Sequence, residues 1–124
     1  MTYESFQLDE MSPACGAIIE GIDLARELTN REFDEIHALL LDRTVIVFRD
    51  QNLTPDQHVA FTRRFGELQP SAVSGFEKSK DNPEIDILEY DVSNPPHETL
   101  DLWHTDFAGM EIPSMGTALY DRGL

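Results

Sequence analysis

Cysteine is almost absent from this chain of 124 residues: Cys15 stands alone, so no intrachain disulfide can form. Basic residues are also scarce, with nine Lys+Arg against 24 Asp+Glu and a formal net charge of −15. That shortage excludes sequence-independent nucleic-acid binding, which needs clustered Lys and Arg to displace counterions. It equally excludes docking on anionic membranes. Long apolar runs are missing. The longest, Ala38 to Leu41 and Val45 to Phe48, have four residues each, far short of the roughly 20 that span a bilayer. The opening stretch, Met1 to Glu10, is polar and acidic and lacks the basic-then-apolar layout of a signal peptide. There is no glycine-rich phosphate loop, no zinc-type Cys/His spacing and no Gly-x-Ser-x-Gly elbow. What remains is an acidic, cytoplasmic globular chain. Its 40 % hydrophobic content and its length suit one domain with a core of its own.

Pro and Gly serve as punctuation, most densely from Gln69 to Pro83, and no repeat is visible. A first strand is expected at Ala17–Ile19, between Gly16 and Gly21. Two helices carry well-formed starts. Thr29 with Glu32 makes a capping box, and Leu28 with Phe33 forms the staple pair around it. The spacing predicts a helix over about 30–42, with Phe33, Ile36, His37 and Leu40 on its inner face. Thr54 with Gln57 makes the second box and Pro55 holds the first helical position. His58, Phe61, Thr62 and Phe65 then share one face, and Gly66 ends the helix. Between the helices, Thr44 to Phe48 reads as a strand covered on both faces, because it is apolar without alternation. Further strands are expected at Ile85–Tyr90 and Met115–Tyr120. Packing of Phe61 and Phe65 onto a sheet that contains Val45–Phe48 is the tertiary expectation.

The chemistry concentrates in Leu102-Trp103-His104-Thr105-Asp106. In extended backbone, positions i and i+2 project to the same side. His104 and Asp106 can then present an imidazole and a carboxylate to one point. Two histidines and one carboxylate on one face suit Fe(II) and leave three positions open. A lone His-x-Asp also fits an ordinary surface turn. Cys15, without a neighbouring base, reads as a small apolar filler. His37 and His58 read as packed helix-face residues. His97, seven residues before His104 and beyond a Pro-Pro turn, reads either as an exposed loop residue or as a further ligand. The acidic stretch Asp81 to Asp86 reads as solvated surface, and Trp103 as packing support for the His-x-Asp turn.

Several segments keep a common order over about residues 14–122: Gly16 to Leu24; Val45-Ile46-Val47-Phe48-Arg49-Asp50-Gln51; Thr54-Pro55 followed by Phe65-Gly66-Glu67-Leu68; Trp103-His104-Thr105-Asp106; and Pro113 to Tyr120. Together they resemble the taurine/2,4-dichlorophenoxyacetate dioxygenase family of Fe(II)- and 2-oxoglutarate-dependent oxygenases. The resemblance implies an α+β chain containing part of a double-stranded β-helix (a jelly roll, clavaminate synthase-like), with N-terminal helices packed on the sheet. It implies that His104 and Asp106 are iron ligands, with Fe(II) as metal and 2-oxoglutarate and oxygen as co-substrates. The reaction would hydroxylate a small, anionic organic substrate while 2-oxoglutarate is decarboxylated to succinate.

The family also uses a distal histidine, a distal arginine and a Gly-Gly-Asp-Thr-like stretch, and the 2-oxoglutarate-binding residues are expected beyond Leu124. Residues 1–124 therefore read as the N-terminal portion of such a domain, with little activity alone. Where the family's sulfonate binders are rich in histidine, this chain has Gln69-Pro70-Ser71-Ala72, and Phe107-Ala108-Gly109 follows Asp106 in place of the family's common pair. A second reading is a catalytically inactive fragment that acts as an interaction or binding module. Unpaired edges of an unfinished sheet would favour self-association into a homo-oligomer. A third is an acidic globular protein with an incidental His-x-Asp.

Overall fold

A computed structural model describes residues 3–69, 77–90, 92–93, 95, 103–107 and 109–122. The chain is α+β and divides into two units, residues 1–67 and 68–124. In the first unit, β1 (Gln7–Glu10) pairs antiparallel with β2 (Ala17–Glu20), which pairs parallel with β3 (Ile46–Phe48), in the sheet order β1-β2-β3. Helix α1 (Asn30–Arg43) makes the crossover between the parallel strands, and α2 (Pro55–Arg63) follows β3. No helix among the described residues is long and apolar enough to cross a membrane.

Both helix starts form as the sequence predicts. The Thr29 hydroxyl accepts from the Glu32 amide, while the Glu32 carboxylate accepts from the Thr29 amide at 2.8 Å. Thr54 and Gln57 make the same reciprocal pair. Each box satisfies amide groups that the helix itself leaves without partners. Gln57 also donates to the Ala25 carbonyl at 2.9 Å. Gln51 accepts from the Leu24 amide and donates to the Ile22 and Arg49 carbonyls at 2.8, 2.9 and 2.8 Å. Two glutamines thus tie the turn after β2 to the segments after β3.

The core is Phe6, Ala17, Ile19, Ile22, Leu24, Leu28, Ile36, Leu39, Leu53 and Val59. The α1 stripe is shifted from expectation: Ile36 and Leu39 are fully enclosed, whereas Phe33, His37 and Leu40 are half-buried. The reason is aromatic. Phe33 meets Phe65 edge-on with ring centroids 4.9 Å apart, Phe65 meets Phe61 at 5.4 Å, and Phe61 meets Phe48 at 5.6 Å. This chain of rings joins α1, α2 and β3, so Phe61 reaches the sheet while Phe65 turns to α1. The Arg64 guanidinium caps the Phe33 face at 4.3 Å, a favourable cation–π arrangement. His37 packs beside Phe33 and Phe65, as a helix-face histidine should.

Five expectations need correction. β3 forms but is only half-buried, with Val45 exposed, because it is the outer strand of the sheet. Cys15 is exposed rather than a core filler: it sits in a turn where Ser12 Oγ accepts from its amide. In the second unit, the expected strand over Ile85–Tyr90 shrinks to β5 (Asp86–Ile87), paired antiparallel with β4 (Glu77–Lys78). Lys78 forms an ion pair with Asp86, so the acidic stretch is not wholly free surface. Met115–Tyr120 is irregular, and Leu119 is 84 % exposed. A β-prone segment becomes a strand only when a neighbour takes up its amide and carbonyl groups, and no described segment pairs with this one.

Acid should loosen the first unit at a definable place. Arg26 grips the Glu32 carboxylate, and with the capping amide of Thr29 it lowers that carboxyl from 4.5 to about 2. A folded value below the unfolded one means that the stabilisation is complete above about pH 4.5 and disappears as pH falls toward 2. Glu32→Gln keeps a capping side chain but loses the charge. Urea midpoints near neutrality and at about pH 3 should therefore differ less in this variant than in the parent. An unchanged difference would remove Glu32 from the account.

Candidate metal centre

The second unit holds the His-x-Asp segment in an open cleft of about 320 Å³ lined by residues 104–106 and 114–117. The backbone over 103–105 is non-helical and leads into a turn at Asp106 and Phe107. Phe107 takes a left-handed conformation, with φ of 55°, and its carbonyl accepts from the Met110 amide at 3.0 Å. A non-glycine residue there is uncommon and carries strain. The turn sends the chain back so that Ser114 to Thr117 form the opposite wall of the cleft.

His104 Nε2 lies 3.4 Å from Asp106 Oδ1, and the two side chains are 57 % and 46 % exposed. The i, i+2 spacing therefore brings the two groups to one point, as the sequence predicts. Thr117 Oγ1 donates to the other carboxylate oxygen, Oδ2, at 2.7 Å. Ser114 Oγ pairs with Gln69 Oε1 at 2.7 Å, and Gln69 Nε2 donates to the Ile112 carbonyl at 3.3 Å, which fixes the outer end of the 112–117 wall.

The donor set can be tested against a metal by distance alone. Two donors each about 2.1 Å from one ion stand ~3.0 Å apart at a right angle and ~3.4 Å apart at the tetrahedral angle. The observed 3.4 Å needs no more than a small side-chain rotation. One imidazole and one carboxylate are the mixture that suits a divalent first-row ion. No group of three His, Cys, Asp or Glu side chains able to hold an ion occurs among the described residues. His97 lies outside those residues. His37 sits in the aromatic cluster and His58 on α2, both in the first unit.

Comparison with known proteins decides the relationship. A family model, "Taurine catabolism dioxygenase TauD, TfdA family", matches residues 7–122. The chain belongs to the TauD/TfdA family. Within this family, the alpha-ketoglutarate-dependent 2,4-dichlorophenoxyacetate dioxygenase of Cupriavidus pinatubonensis is 40 % identical over 73 residues, which is 59 % of this chain and 24 % of that protein. The (S)-phenoxypropionate/alpha-ketoglutarate-dioxygenase of Sphingobium herbicidovorans is 35 % identical over 65 residues, 52 % of this chain and 22 % of the relative. A crystal structure described as a putative alpha-ketoglutarate-dependent taurine dioxygenase from Burkholderia xenovorans superposes with a TM-score of 0.59 at 40 % identity. That match covers 64 % of this chain and 28 % of the other. Thus the matched regions amount to about a quarter of each TauD/TfdA relative.

Two features of this TauD/TfdA chain run against or beyond the sequence reading. Trp103 is fully exposed, so it does not brace the His-x-Asp turn by packing. The bracing comes instead from Thr117, which the sequence presented only as part of a β-prone run. A hydroxyl eleven residues from Asp106 has no local signal; only the turn at Phe107 brings it close.

Proposed function

We propose that the chain supplies two iron ligands, His104 through Nε2 and Asp106 through Oδ1, to an Fe(II)- and 2-oxoglutarate-dependent dioxygenase. The enzyme hydroxylates a small anionic organic substrate, in a double-stranded β-helix fold. The observation that carries this reading is the 3.4 Å approach of imidazole nitrogen and carboxylate oxygen in an open cleft, inside a family match over residues 7–122. The names of the relatives support the co-substrate and favour aryloxy acids as the substrate class.

In this reading Fe(II) supplies the activation of oxygen and the decarboxylation of 2-oxoglutarate to succinate. The residues of the chain hold and orient. His104 and Asp106 fix the ion at one wall of the cleft. Asp106 brings a negative charge that offsets part of the ion's own charge. The cleft beside Ser114–Thr117 leaves room for small molecules next to the ion.

The test is a chimera in which residues 7–122 replace the matching part of the Cupriavidus enzyme. Succinate release should depend on Fe(II), 2-oxoglutarate and an aryloxy acid, and should fall to background in His104→Ala and Asp106→Ala. Turnover that survives His104→Ala would overturn the assignment, as would a folded chimera without turnover.

A further inference from the structure

Asp106 has two carboxylate oxygens, and the structure gives them different neighbours. Oδ1 faces His104 Nε2 at 3.4 Å, while Oδ2 accepts a 2.7 Å hydrogen bond from Thr117 Oγ1. We propose that Thr117 is a positioning residue that holds Asp106 as a one-oxygen ligand. This rests on the ligand assignment above and adds a residue to it.

A carboxylate can bind an ion through one oxygen or both. Three protein donors on one face of a six-coordinate ion leave three positions. Bound through both oxygens, Asp106 would take up one more position on the ion than through a single oxygen, and would leave less room there for small molecules. The Thr117 hydroxyl opposes that mode directly. A hydrogen bond to a charged oxygen is short and strong for its kind, and it occupies Oδ2 on the side away from His104. Thr117 comes from the wall opposite Asp106 in the chain, across the turn at Phe107, so it also sets the rotation of the carboxylate. Because both residues are exposed, the bond adds little to folding, and its role is separable from stability.

The experiment measures Mn(II) binding to the full chain by the paramagnetic resonance signal of free Mn(II), for the parent, Thr117→Val, Thr117→Ser and Asp106→Asn. Loss of the hydroxyl in Thr117→Val should weaken binding about tenfold, the usual scale for a residue that supports a ligand. Thr117→Ser should restore it to within about twofold. Thermal midpoints should not move. Infrared difference spectra on adding Mn(II), corrected with Asp106→Asn, should show widely separated carboxylate stretches in the parent and a narrower separation in Thr117→Val. Parent and Thr117→Val with equal affinity and equal stretches would overturn the role of Thr117 while Asp106→Asn still loses the ion. Equal binding by the parent and Asp106→Asn would overturn the ligand assignment and Thr117 with it. If Thr117→Val fails to fold, the parent spectrum decides: a narrow separation refutes one-oxygen binding and a wide one supports it.

Discussion

Alanine at position 104 is expected to weaken Mn(II) binding to this chain by more than the roughly 10–100-fold that follows loss of a supporting residue. His104 places its Nε2 3.4 Å from Oδ1 of the Asp106 carboxylate. Without the imidazole, its place on the ion would pass to water, which exchanges freely. The side chain is 57 % exposed, so its removal should leave the urea midpoint unchanged. That separation of effects matters, because the acidic surface attracts divalent ions diffusely. Diffuse attraction would be screened by salt and indifferent to His104. Titration of both proteins with Mn(II) at two salt concentrations distinguishes the cases, and equal salt-sensitive binding would remove His104 from the site.

The second large effect lies in the first unit. Leu39→Ala is expected to destabilise it by about 3 kcal/mol, within the usual 2–5 kcal/mol for an enclosed leucine. Leu39 and Ile36 have no exposed surface, so the vacated volume cannot fill with solvent or collapse without moving the helix. A loss of that size is a large share of the 5–15 kcal/mol that holds most domains folded. Urea denaturation should show a lower midpoint with an unchanged slope. Leu41→Ala, on the exposed side of the same helix, should change stability by less than about 0.5 kcal/mol. Similar losses at both positions would contradict the burial pattern.

What was legible in the sequence was local. Thr29 with Glu32 and Thr54 with Gln57 announce helix starts because the groups that satisfy each other lie three residues apart. His104 and Asp106 announce a shared point because backbone alternation acts over two residues. What depended on distant partners was not legible. Gln7-Leu8-Asp9-Glu10 has no apolar run, yet it forms β1 because β2 takes its hydrogen bonds in register, Leu8 opposite Ile19. Met115–Tyr120 has the composition of a strand and lacks a described neighbour to make it one. Leu39 is enclosed while Phe33 is half-buried, because the Phe33 ring meets Phe65 edge-on and Phe65 meets Phe61 in the same way. Thr117 reached Asp106 only through the strained turn at Phe107.

Whether His104 and Asp106 share one ion can be read from paramagnetic broadening of amide resonances. Substoichiometric Mn(II) is added to ¹⁵N-labelled chain, and broadening falls off steeply with distance from the ion. The amides of residues 103–107 and 114–117 should vanish first and together, and this pattern should be absent from His104→Ala. Broadening that begins at Asp81–Asp86, or that spreads evenly over the acidic surface in both proteins, would contradict it.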